Sequence, residues 1–213
     1  VGDPGLVADF LSQALRAYQA FLDKVVEATE GADAHWSRVQ GGVGLLRLCA
    51  LPRLLHLFRS LSPEATAAFA EEADVATLSA YERILGAKLT TLPQQTQTAL
   101  PTREGGCGIL RFRGLRAQAW LSSWLATLPE VRALGGPGVA TRDEIVDGNG
   151  GWAVSLRAAI TELAEGVHLD AAGGVTSEEP AAPWGWEEVA PALAQRQRHF
   201  SRRRAAVART RLL

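Results

Sequence analysis

Leu45-Leu46-Arg47-Leu48-Cys49-Ala50-Leu51-Pro52-Arg53-Leu54-Leu55-His56-Leu57-Phe58 is the stretch on which the fold turns. It is apolar nearly all round, which predicts a central, buried helix. Pro52 is expected to kink that helix, because its ring removes one hydrogen bond and crowds the preceding turn. His56, inside the run, is expected to be a hydrogen-bonded core residue. The run does not read as a membrane span. Extended to Leu61 it carries Arg47, Arg53, His56 and Arg59, and Pro52 interrupts it, whereas a span needs about 20 residues with few charges.

Working outward, the segment upstream opens with Asp3 as helix cap and Pro4 at the first helical position, where a missing N–H costs nothing. Val7, Phe10, Leu11, Ala14, Leu15, Tyr18, Leu22, Val25 and Val26 then recur at steps of three and four, one stripe of a long amphipathic helix that Gly31 is expected to end. Residues 34–61 read as helix. Gly41, Gly42 and Gly44 weaken its middle, so one helix or two are compatible with the pattern. Ser62-Pro63-Glu64 is a fresh start signal, followed by Phe69, Val75, Leu78, Tyr81, Ile84 and Leu85 up to Gly86. From Leu89 to Phe112 the prolines and glycines predict a short helix near 95–99, then extended and turn structure. Helix is expected again from Leu115, with Trp120, Leu121, Trp124, Leu125 and Leu128 on one face, and near 152–164. Residues 135–151 and 170–185 have the composition of connections, and a last helix is expected from about 187 or 191 to the end.

The fold class is therefore mainly α: a helical bundle with a Gly/Pro-rich turn region in the middle and a smaller helical C-terminal part. The expected organisation is a bundle over 1–134, a Gly-rich linker over 135–151 and C-terminal helices over 152–213. Of the 213 residues, 47% are hydrophobic and 21% charged, the balance of a folded chain rather than a disordered one. The formal net charge of −1 excludes a uniformly basic nucleic-acid coat. Cys49 and Cys107 are too few and too far apart for a disulfide scaffold or a cysteine zinc module, and fit a reducing, intracellular setting, nuclear or cytoplasmic. The chain begins with Val and holds no Met, so it is expected to be a piece of a longer reading frame.

No catalytic constellation is visible. His35, His56, His168 and His199 do not pair with one another, with Cys or with a carboxylate at ligand spacing. There is no Gly-x-Ser-x-Gly, and Gly41-Gly42-Val43-Gly44 lacks the Lys-Ser/Thr of a phosphate loop. Charge, however, is uneven. Residues 187–213 carry seven Arg and two Glu, a local +5. On a helix, Val189, Leu193, Phe200 and Val207 share one arc. Arg198, Arg202 and Arg209 lie opposite, with about 16 Å between the first and the last. That row suits either a solvated face or a phosphate backbone, and Arg forks onto phosphate better than Lys.

Three stretches taken in order carry a resemblance. They are Val1-Gly2-Asp3-Pro4 with the helix after it, the Leu-Leu-Arg…Pro-Arg run of 45–53 continuing to Pro63, and Leu100-Pro101-Thr102-Arg103-Glu104-Gly105-Gly106-Cys107-Gly108-Ile109 followed by 117–124. This succession resembles the region after the catalytic palm in reverse-transcriptase-like proteins of non-LTR retrotransposons, where a helical thumb precedes an LP…GGLG turn and a Ser-Trp helix. It covers roughly residues 1–128. Cys107 stands where Leu is usual, and Glu104 where a small or apolar residue is usual. The family's aromatic-x-Asp-Asp strand is absent, as are zinc-knuckle cysteines.

The resemblance implies a non-catalytic, duplex-holding C-terminal part of an RNA-directed DNA polymerase. It would not be an enzyme by itself and would need no cofactor in this chain, since Mg would belong to the missing palm. Its partners would be RNA or RNA–DNA duplex, met through backbone contacts, and the upstream palm of the same parent chain, with no membrane. Arg47, Arg53 and Arg59 are candidate phosphate contacts, because a lone Arg in an apolar helix is expensive; the alternative is pairing with Asp or Glu of neighbouring helices. Arg198, Arg202 and Arg209 complete the candidate set. Trp120 and Trp124 read as core rather than a stacking platform, and the glycine turn as structural. The alternative function is a standalone or degenerate α-helical protein–protein interaction module.

Overall fold

The computed structural model describes residues 3–29, 36–133 and 153–162. These are mainly α-helical, with no strand among them. The helices are α1 (Pro4–Glu27), α2 (Trp36–Leu45), α3 (Leu51–Ser60), α4 (Ala67–Leu85), α5 (Leu92–Ala99), α6 (Phe112–Ala133) and α7 (153–162). They belong to two compact units, residues 1–57 with 65–113, and 58–64 with 114–213.

In the first unit, local chemistry starts α1 as expected. The Asp3 carboxylate accepts the Gly5 N–H and Pro4 occupies the first turn. The helix ends at Glu27, where the Thr29 hydroxyl donates to the Val26 carbonyl; Gly31 lies outside the described residues. Leu11, Leu15, Tyr18, Leu22, Val25 and Val26 form its buried stripe, and α4 covers much of it. Phe10, read as part of that stripe, is instead 51% exposed.

The three glycines do not break α2. Its helix runs through a π-helical turn, Leu46–Ala50, straight into α3. Gly42 earns its place by proximity: a Cβ there would lie 2.6 Å from the Thr29 methyl and 3.1 Å from Ile84 of α4. The π turn is the form that the disturbance by Pro52 takes. Pro52 has no N–H for the Leu48 carbonyl and its ring crowds that oxygen. One wider turn, in which the Leu51 N–H reaches Leu46 O, relieves both.

Of the two alternatives left open for residues 34–61, the single helix is the one found. Arg38–Ser60, 23 residues, is long and apolar enough by length and composition to cross a membrane. Its burial follows an amphipathic pattern: Leu46, Ala50, Leu51, Leu54, Leu57 and Phe58 are buried, whereas Leu45, Leu48, Cys49, Pro52, Arg53 and His56 are exposed. The expectation of burial all round is therefore corrected, and so is the core position of His56. Among the described residues the inner side of the helix is the covered one, and its outer leucines, Leu48 at 75%, face outward.

α4 starts at Ala67 after a turn over residues 63–66 and closes on Gly86, whose left-handed φ of 66° suits glycine. α5 opens with a reciprocal cap: Gln94 N–H donates to the Thr91 hydroxyl, and the Thr91 N–H donates to the Gln94 side chain. At the centre of this unit Tyr18 meets Phe112 edge to face, with ring centres 6.0 Å apart. The Tyr18 hydroxyl is 2.8 Å from Thr77 Oγ1.

In the second unit α6 buries Leu115, Ala117, Ala119, Trp120 and Leu121, and α7 buries Ala153, Leu156 and Ala159 at helical spacing. Arg116 grips Glu162 with two hydrogen bonds, 3.1 and 3.0 Å, and also donates to the Pro63 carbonyl.

Candidate nucleic-acid interface

The glycine turn after α5 is built by backbone bonds. Glu104, Gly105 and Gly106 donate to Pro101, Thr102 and Pro101, closing a 3-10 turn over Thr102–Glu104. Cys107, Gly108 and Ile109 then donate back to Gln97, Leu100 and Thr98. Gly105 and Gly108 hold φ of 80° and 71°, a region that L side chains avoid. At Gly106 the constraint is space: a Cβ would sit 2.2 Å from the Leu100 carbonyl oxygen.

Arg47 packs on this turn. A Cβ at Gly108 would come 2.8 Å from Arg47 Nε, so the guanidinium side chain lies across the glycine. The two motifs that carry the resemblance are thus in contact. Half-buried Arg47 supports the turn instead of standing out on the helix surface. Arg53 is exposed, with its guanidinium carbon 3.9 Å above the centre of the Phe21 ring. Neither arginine makes a described salt bridge to Asp or Glu. Arg59 is exposed near the end of α3. Arg198, Arg202 and Arg209 lie outside the described residues.

Trp120 is only 8% exposed and belongs to the core as expected, whereas Trp124 is half-buried and outside it. The Tyr81 hydroxyl lies against the Cys107 thiol; burial first, and that contact second, push the phenol above its ordinary range. Among the described residues no group of three or more His, Cys, Asp or Glu could hold a metal ion.

Two concavities were not foreseen. One, of about 360 Å³, lies beside the α6 N-terminus, where Asp74 of α4 accepts the backbone N–H groups of Phe112 and Arg113. Burial raises the Asp74 pKa, against the pull of those two hydrogen bonds and of Arg111 and Arg113. Arg111 in turn donates to Gln95 at 3.1 Å. The other, of about 220 Å³, is a notch between α1 and α3 floored by Ala14 and Ala17, with Phe10, Arg53, His56 and Leu57 around it. The available signal was Ala14, the one small residue of the α1 apolar stripe, with Ala17 three residues on. Comparison with protein-family models, with curated proteins and with solved structures finds no match to this chain.

Proposed function

We propose that this chain is the non-catalytic, duplex-holding part of a retroelement reverse transcriptase, contacting the template–primer through its phosphates. The observation that supports the reading best is the seating of Arg47 across Gly108. It gives a physical reason for the Leu-Leu-Arg run and the Gly-Gly-Cys-Gly turn to occur together, and their joint occurrence is what the resemblance rests on. A clamp of this kind needs a rigid helical core and a few cations that meet phosphate without reading bases. Arg53 and Arg59, exposed on α3, and the row Arg198, Arg202 and Arg209 are the cations assigned to that task. Arg47 moves from phosphate contact to support. The catalytic acids and their Mg would belong to an upstream palm.

A second reading, a protein–protein module, is favoured by the exposed Leu6, Phe10 and Leu48. Binding of an RNA–DNA hybrid by the full chain, titrated with salt, separates the two. For R53A, R59A and the triple R198A/R202A/R209A, the slope of log affinity against log salt should flatten by about 0.9 per phosphate contact removed. Slopes identical to wild type in all three variants would remove these arginines from the account and leave the protein–protein reading.

A further inference from the structure

We propose that the notch between α1 and α3 seats one unpaired nucleobase at the edge of the held backbone, so that the chain favours hybrids with a single-stranded extension over blunt ones. The inference rests on the nucleic-acid reading above and adds a ligand class to it.

The notch follows from side-chain size along one helix face. Phe10, Ala14, Ala17 and Phe21 stack on α1 at steps of four, three and four, placing two small residues between two rings. Leu54 and Leu57 of α3 supply the opposite apolar wall. The volume, about 220 Å³, is below the roughly 300–1,000 Å³ of pockets that enclose a whole small molecule. It suits one flat ring system laid into an open groove.

Phe10 offers the stacking surface. It is a large aromatic with half its area exposed, on the outer rim of an otherwise buried stripe. The cation is already positioned. The Arg53 guanidinium carbon sits 3.9 Å over the centre of the Phe21 ring, a cation–π seat that fixes the charge beside the notch and within reach of a phosphate.

Arg53 is the formal charge that lines the notch, and no Asp or Glu lines it among the described residues. An aromatic face beside a preoriented cation is how unpaired nucleotides are held without sequence preference. An acidic peptide shares the charge requirement. Its anchoring side chains, however, gain most in closed, fully desolvated pockets, which this groove is not.

The test uses the full chain and three labelled RNA–DNA hybrids: blunt, with a short unpaired extension, and with the same extension made abasic. Fluorescence anisotropy at low salt reads affinity. Wild type should bind the extended hybrid at least about 5-fold more tightly than the blunt or the abasic one, the low end of what one base–aromatic stack supplies. F10A should erase that preference, and A17L, which fills an exposed notch without touching the core, should erase it too. Both should leave blunt-hybrid affinity unchanged.

Equal binding of all three hybrids by wild type overturns the notch assignment and leaves the backbone reading standing. A preference that survives F10A and A17L also overturns it, by placing the base elsewhere. Failure to bind any hybrid overturns both readings. An acidic apolar peptide that binds wild type but not F10A, with no extension preference among hybrids, would assign the notch to protein.

Discussion

Asp74 gives the sharpest stability prediction, because two opposing effects meet on one carboxylate. The first turn of α6 has backbone N–H groups with no partner inside the helix. Those of Phe112 and Arg113 are met from α4 by Asp74. Removing an N-cap costs about 0.5–2 kcal/mol, and a half-buried group serving two donors belongs at the upper end, about 2 kcal/mol. For a unit near 100 residues that is a fall in Tm of about 8 °C for D74A. D74N keeps one acceptor and loses the charge, so it should cost less than about 1 kcal/mol.

The pH dependence separates the two terms. Burial raises the folded-state pKa of Asp74, so the folded protein holds this proton to higher pH than the unfolded chain does. The contribution of Asp74 to stability should therefore be full below about pH 3.9, the unfolded value, and fall as pH rises from there through the folded-state pKa. Relative to D74N, wild type should lose ground across that window. Thermal denaturation of wild type, D74N and D74A by circular dichroism across the acid range reads all three. A Tm for D74A equal to wild type would refute the cap. A wild type that gains on D74N as pH rises would show that the two N–H bonds outweigh burial, and would refute the sign.

Four further predictions rest on single contacts or groups. G106A should destabilise the first unit by about 1–3 kcal/mol in denaturant melts, since its Cβ collides with the Leu100 backbone; G105A differs, meeting no atom and paying only for its φ. Y18F should cost about 1 kcal/mol, because the Thr77 hydroxyl already donates to Ala73 O and Tyr18 must be the donor to Thr77. Burial pushes the Tyr18 pKa up to about 12 and raises that of Tyr81 as well, so near-UV phenolate absorbance should be almost absent at about pH 10.5, where a free tyrosine is largely ionised. E162Q should weaken the two-bond grip of Arg116, and hydrogen exchange over residues 153–162 should then speed up.

Local signals in the sequence were readable where the structure uses local chemistry. Asp3-Pro4 opens α1 and Gly86 closes α4 because cap and helix are neighbours in the chain. The Thr91…Gln94 cap was equally local, and it starts α5 at Leu92, earlier than the prolines and glycines around it suggested. α6 begins at Phe112, ahead of the expected Leu115, because its cap comes from Asp74, far away in sequence. The apolar run 45–58 carried too little periodicity to say which side would be covered, so the exposure of Leu48 and His56 was hidden in it. In the candidate site, Arg53 and Arg59 were legible as charges in an apolar helix. The engagement of Arg47 with Gly108 was not, since it depends on the approach of two distant segments. Counting Ala14 simply as apolar, and leaving Ala17 out of the stripe, concealed the two small residues and with them the notch.

On the proposed function the chain holds a nucleic-acid backbone by charge. That hold is tested most directly by the affinity of the wild-type chain for an RNA–DNA hybrid, measured across a series of salt concentrations. The expected result is binding at low salt that weakens linearly on a log–log scale and is indifferent to base sequence. Absence of binding at the lowest salt, or an affinity that salt leaves unchanged, would contradict it.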